Sequence, residues 1–251
     1  MSSRYIFVVG GVISGLGKGV ACGSIGAILR CLGYTVTIKK LDPYLNVDPG
    51  TLNPIEHGEV FVTHDGGETD LDLGYYERFA NIQVSKHNST SSGKLLDQLL
   101  KDERKGVYLG KTITMFPHFT NCIKEFIYQD EDKYDVIICE IGGSAGDYEA
   151  NAFLETIRQI KQERGSSQVL VCALSYLVYY DATKELKTKP TQVAIRQLMM
   201  AGVDPDILLL RSEHTIDDTI KQKIANYTNI HKEHIISAYN VPSIYQVPLE
   251  Y

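Results

Sequence analysis

The run GGVISGLGKG at residues 10–19 sets Gly15, Gly17 and Gly19 around one lysine, Lys18. Glycines at that spacing let backbone amides close on phosphate oxygens, and the lysine adds a point charge. The usual phosphate loop, G-x-x-x-x-G-K-[ST], ends in a hydroxyl that holds magnesium. Here Gly19 follows the lysine, and Val12 stands where the leading glycine belongs. Magnesium prefers hard oxygen ligands, so carboxylates have to replace the missing hydroxyl. Asp72, in GGETDLDLGYYERF, and Glu140, ending the apolar run DVIICE, are the candidates. Alone, Asp72 reads equally well as a solvated turn acid and Glu140 as a strand-end ion pair. Together they answer the loop's deficiency.

A second candidate anion site is KTKPTQ, residues 187–192. Lys187 and Lys189 precede Pro190 at a helix start, where free amides, the helix dipole and two ammonium groups converge. The plainer alternative is a solvated lysine pair. HKEH at 231–234 offers two histidines without a third ligand, a poor basis for zinc. The five cysteines are scattered, odd in number and free of any CxxC pair, which fits reduced thiols better than a disulfide framework or a zinc ribbon.

These groups need elements to position them. Residues 4–9, 34–41, 135–141, 168–174 and 206–210 read as short strands, most of them buried on both faces. Helical patterns at 18–31, 149–163 and 189–201 alternate with them, and Gly33 stops the first. Such alternation predicts an α/β fold with a mostly parallel sheet flanked by helices. The phosphate loop then lies between a strand and a helix, and Glu140 at a strand's C-terminal end, where open sheets bind ligands. Residues 42–92 are polar and turn-rich, and a stretch of that length is usually functional or disordered. No repeat or linker divides the chain, so residues 1–251 are expected to form one domain. With 43% hydrophobic residues a core is assured, while a net charge of −6 opposes a general nucleic-acid binder. No apolar run is long enough to cross a bilayer and no secretory leader is legible, so a cytoplasmic protein without membrane partners is expected.

In order along the chain, GGVISGLGKG, KLDPYLNVDPGTLNPIEHGEVFV, DGGETDLDLGYYERF, DERKGVYLGKT, EIGGSAGD and KTKPTQ resemble the synthetase (amidoligase) domain of the CTP synthase family, over residues 4 to about 248. The resemblance implies a P-loop NTPase-like, dethiobiotin synthetase-like fold. It implies ATP-dependent amination of UTP to CTP by ammonia, through a phosphorylated uracil 4-oxygen, in pyrimidine biosynthesis. Carried over, it makes Lys18 and Lys40 catalytic and Asp72 and Glu140 magnesium ligands. Gly15, Leu16, Gly17, Lys18, Gly19, Val20, Asp72, Tyr239, Asn240 and Val241 would bind ATP. Ser14, Asp147, Tyr148, Glu149, Lys187, Thr188, Lys189, Pro190, Thr191, Gln192 and Lys223 would bind UTP, or CTP as feedback inhibitor. Pro54, His57 and Val60 would mark an ammonia channel. A homotetramer, with the pyrimidine site across a subunit interface, and filaments of tetramers are the implied assemblies.

Some features depart from that pattern. Family members continue into a glutaminase domain, whereas this sequence stops at VPLEY, so glutamine hydrolysis is not expected of it and ammonia has to be supplied. Cys31, at a helix end before Gly33, is expected to be a packing residue and not a nucleophile. Tyr148 replaces a usual aliphatic residue and Ser144-Ala145 a usual Thr-Val, with Tyr148 bringing a bulky ring to the product site. Two other classes compete: a nucleotide-switch ATPase with a deviant phosphate loop, and a non-catalytic, filament-forming scaffold. KTKPTQ and the two strand-end carboxylates favour the ligase.

Overall fold

The computed structural model describes residues 3–11 and 15–251. Its first half runs β1 (Arg4–Gly10), α1 (Lys18–Cys31), β2 (Val36–Asp42), α2 (Pro54–His57), β3 (Phe61–Val62), β4 (Glu68–Thr69), α3 (Asp72–Ala80), β5 (Ser89–Ser91), α4 (Ser92–Arg104) and α5 (Thr120–Tyr128). The second half runs β6 (Val136–Ile141), α6 (Asn151–Arg164), β7 (Val169–Tyr176), β8 (Val178–Tyr180), β9 (Glu185–Lys187), α7 (Lys189–Met200), β10 (Ile207–Ser212), α8 (Asp218–Ala225) and β11 (Ile235–Tyr239). Seven strands form one sheet in the order β11-β10-β7-β1-β6-β2-β5, every pairing parallel. β3–β4 and β8–β9 are separate antiparallel ribbons.

Strand sequences such as YIFVV and VIIC are apolar throughout because both sheet faces are covered. Val8, Ile38, Ile138, Leu174 and Leu209 pack under α1 and α3, while Phe7, Leu41, Ile137, Cys139 and Val171 pack with α5 and α6 on the other face. Period-two alternation puts Lys40 and Glu140 on the α1 side, and Lys39 on the α5 side. α1 stops as its sequence predicts. Gly33 takes a φ of 92°, its amide bonds to the Arg30 carbonyl, and the Tyr34 amide bonds to the Leu29 carbonyl. Cys31, expected to pack, is exposed at the last position of α1.

The polar stretch 42–92 is ordered, and its centre is α3. α3 lies close along α1 because α1 offers glycine at the contact. A Cβ on Gly23 would sit 2.9 Å from Phe79 Cβ, and one on Gly26 would sit 3.0 Å from Ala80 Cβ. At the far end Arg30 donates to the Ala80 carbonyl at 2.7 Å and to the Asn81 carbonyl. No helix among the described residues is long and apolar enough to cross a membrane.

Candidate active site

The C-terminal ends of β1, β2 and β6, neighbours in the sheet, bring the strand-borne groups together. Lys40 and Glu140 are register partners across β2 and β6, and so point side by side to the same face. Asp72, the first residue of α3, reaches them from above. The Lys40 ammonium lies 2.5 Å from Asp72 Oδ2, 2.9 Å from Glu140 Oε1 and 3.8 Å from Asp42 Oδ1. Lys40 is 4% and Glu140 1% exposed.

Burial lowers the Lys40 pKa, yet Asp72, Glu140 and Asp42 reverse this and hold it well above the ordinary lysine value. Burial also works against Asp72, and the Lys40 charge overcomes it and keeps that carboxyl below the usual range. Glu140 goes the other way: burial and the Asp72 charge raise it, with Lys40 only partly offsetting them. Burial pushes Asp42 up to about 7. Lys18 is lowered by burial and by Lys40, against the pull of Glu140 and Asp72, and it donates to the Gly143 carbonyl at 2.7 Å. Taking away Lys40 would leave buried acids uncompensated, at a cost of about 3–5 kcal/mol.

Gly19 has a different role from the one its place in the loop implies. Gly15 and Gly17 turn the backbone, with φ of 70° and 85°, but Gly19 sits inside α1 and makes room. A Cβ there would fall on Asp72 Oδ1, 2.6 Å from Asp72 Cγ. The side chain that normally follows the phosphate-loop lysine is thus replaced in space by a carboxylate from α3. These residues fit magnesium. Asp42, Asp70, Asp72 and Glu140 outnumber Lys18 and Lys40 around the cluster, and the Lys40 ammonium already occupies the cationic position between Asp72 and Glu140. Among the described residues no group of three or more His, Cys, Asp or Glu side chains is arranged to hold a metal. A pair of carboxylates suits magnesium, which usually completes its shell with water and substrate phosphates.

Gly15, Leu16, Gly17, Lys18, Val20, Lys40, Asp72 and Glu140 line a cavity of about 370 Å³. Leu16, Gly17 and Val20 also line an adjoining cavity of about 150 Å³, with Tyr239, Asn240 and Val241 on its far wall. Arg211, which sequence reasoning passed over, lines the smaller cavity and ties its two sides together. Its guanidinium donates to the Leu16 carbonyl at 2.7 Å and to Asn240 Oδ1 at 2.5 Å. Its only sequence signal was a charge ending the run DILLLR.

A third cavity, of about 570 Å³, gathers Lys187, Thr188, Lys189 and Lys223, together with Lys184, Tyr179 and His214. His214, given no weight from sequence, stacks on Tyr179 with ring centroids 3.8 Å apart. Pro190 lies in the first turn of α7. Thr191 and Gln192 are buried there, Thr191 donating to the Tyr176 carbonyl and Gln192 to Thr188 Oγ1. Asp147, Tyr148 and Glu149 do not line this cavity. Asp147 accepts from the Ser144 amide and hydroxyl, and Tyr148 is 88% exposed. Pro54 and His57 form α2, where His57 meets Tyr44 edge-on at 6.3 Å, and Tyr44 donates to Asp42 at 3.3 Å. Val60 follows on the same exposed segment. Ser14 lies outside the described residues.

The family described as CTP synthase N-terminus matches residues 4–251. CTP synthase of Cereibacter sphaeroides is 52% identical over 249 residues, and that of Paracoccus denitrificans is likewise 52% identical over 249. Each alignment takes in 99% of this chain but 46% of the relative, so the chain spans about half the length of these curated relatives. Among solved structures, the signal recognition particle 54 kDa protein of Aeropyrum pernix in complex with GDP superposes with a TM-score of 0.51 at 10% identity, over 100% of this chain and 45% of that one. That likeness concerns the fold, a P-loop NTPase-like parallel sheet. By the family match and by relatives at this identity, the chain belongs to the CTP synthase N-terminus family.

Proposed function

We propose that the chain carries the ligase half of CTP synthesis: ATP phosphorylates the uracil 4-oxygen of UTP, and ammonia displaces the phosphate to give CTP. The observation that carries this is the convergence of Lys18, Lys40, Asp72 and Glu140 on one cavity, continuous with a base-sized cavity at Tyr239–Val241. ATP would lie with its base against Asn240 and Val241 and its phosphates along Gly15–Val20. Asp72 and Glu140 would hold magnesium, which when bound neutralises charge on the phosphate oxygens. Lys18 and Lys40 would face the phosphoryl group in transit, whose charge spreads over its equatorial oxygens. The lysine cavity at Lys187, Lys189 and Lys223 would take the UTP triphosphate.

In the first step the 4-oxygen attacks the γ-phosphorus as uracil N3 gives up its proton, the bond to the β,γ-bridging oxygen breaks, and ADP leaves. In the second, ammonia attacks C4, the C4–O bond breaks, phosphate departs and the nitrogen loses a proton. Ammonia would enter past Pro54, His57 and Val60, towards Tyr44 and Asp42. Asp147, Tyr148 and Glu149 lie on exposed surface away from the lysine cavity, which supports a pyrimidine site completed by another subunit of a homotetramer. CTP in that site would act as feedback inhibitor, and the setting would be cytoplasmic. A nucleotide-switch ATPase has no use for the lysine cavity and is not favoured.

Uracil-to-cytosine conversion, followed by absorbance with ATP, UTP, magnesium and ammonium chloride, tests the proposal. CTP should form, and Lys18→Ala and Asp72→Ala should each lose turnover while staying folded. A folded tetramer that makes no CTP under these conditions would overturn it.

A further inference from the structure

Glu140 has both carboxylate oxygens engaged. Oε1 accepts from Lys40 at 2.9 Å, and Oε2 accepts from the Tyr76 hydroxyl at 2.5 Å. Tyr76 is fully buried, in the cluster of Val8, Ile38, Leu73 and Ile138 beneath α1 and α3. It stands four residues after Asp72 on α3, and so one turn along the same helix face. One helix therefore presents one acid and grips the other. Its own placement is fixed by the glycine contacts on α1 and by Arg30 at its C-terminal end. A phenol is protonated at neutral pH, so the Tyr76 hydroxyl is the donor of this bond.

We infer that Tyr76 is a positioning residue: its hydroxyl holds Oε2 of Glu140 so that Oε1, the oxygen on Lys40, is turned to the side where Lys40 also meets Asp72, setting the spacing of the pair for a divalent cation. Tyr76 acts through Glu140, so its role rests on Asp72 and Glu140 being the magnesium ligands proposed above. Ligand-orienting partners of this kind typically change metal affinity by about 10–100-fold when removed. The bland alternative is that the ring merely fills the core. Tyr76→Phe separates the two, because it keeps the ring and deletes one oxygen.

The probe is Mn²⁺, titrated by electron paramagnetic resonance against the 251-residue chain in the presence of ADP. Tyr76→Phe is expected to weaken Mn²⁺ binding at least roughly tenfold, with the circular dichroism of the folded chain unchanged. In a Glu140→Gln background the same change should add nothing, since the carboxylate it orients is gone. That double variant leaves no buried carboxylate unpaired, so it serves even if the single variant does not fold. Wild-type Mn²⁺ affinity in Tyr76→Phe, or a double variant clearly weaker than Glu140→Gln alone, overturns the role of Tyr76 and leaves the metal ligands standing. Wild-type affinity in Glu140→Gln itself would remove the ligand assignment, and the role of Tyr76 with it.

Discussion

Gly19 and Asp72 are complementary: the one has no side chain where the other puts its carboxylate. A hydroxyl at residue 19 would restore the common spelling of a phosphate loop, and by motif alone it should help. The packing says the opposite, because any Cβ there overlaps Asp72. Gly19→Ser should therefore push Asp72 away from Lys40 and lower CTP formation roughly tenfold or more at fixed magnesium, a loss of the size seen when metal-ligand geometry is disturbed. Steady-state rates across a magnesium titration check this; a rate equal to or above wild type would show that the hydroxyl can replace the carboxylate. The deviation at Gly19 and the positions of Asp72 and Glu140 near it were legible in the sequence, since they are adjacent to recognisable strand and loop patterns. Tyr76, Arg211 and His214 were not. Their placements come from contacts between distant segments, and no local spacing marks a tyrosine that reaches a glutamate 64 residues away.

At the scale of elements, the alternation of apolar runs and helical patterns disclosed β1, α1, β2, β6, α6, β7, α7 and β10 to within a few residues. It missed α3, because YYERFA reads as polar until its partner face on α1 is known, and it missed α2, α4, α5, α8, the two small ribbons and the short edge strands β5 and β11. One device that holds an element down lies in KK at 39–40, where neighbouring lysines point to opposite sheet faces. Lys40 serves the site; Lys39, only 2% exposed, serves α5. Its ammonium donates to the carbonyls of Phe126, Ile127 and Gln129 at 2.6, 3.3 and 2.7 Å, satisfying the helix C-terminus where the dipole favours a cation. Burial lowers the Lys39 pKa, so the ammonium is held at a desolvation cost. Which effect wins is measurable. Lys39→Met keeps the stem and strands the carbonyls, and should cost about 3 kcal/mol in urea unfolding with the slope unchanged. A variant as stable as wild type would mean that desolvation cancels the cap.

For the molecule as a whole, the acids gathered at one end of the sheet should govern how stability depends on pH. Asp42 is buried beside Lys40, and its pKa in the folded chain is about 7, against an ordinary value of 3.8. Between those two values the folded chain keeps a proton that the unfolded chain has released. Stability from this group is therefore complete below the lower value, falls as pH rises through the window, and levels off above about 7. Three pKa units correspond to about 4 kcal/mol, of which about 3 should be lost between about pH 5 and about pH 8. Glu140, also raised, adds in the same sense, whereas Asp72, lowered by Lys40, acts in the opposite one. Asp42→Asn isolates this contribution, because an amide at residue 42 cannot titrate and can still accept from Tyr44. Urea unfolding of both chains across this range should show wild type losing clearly more stability than Asp42→Asn as pH rises. Parallel curves would mean that Asp42 is already ionised in the folded chain, with Lys40 stabilising its charge more than burial opposes it.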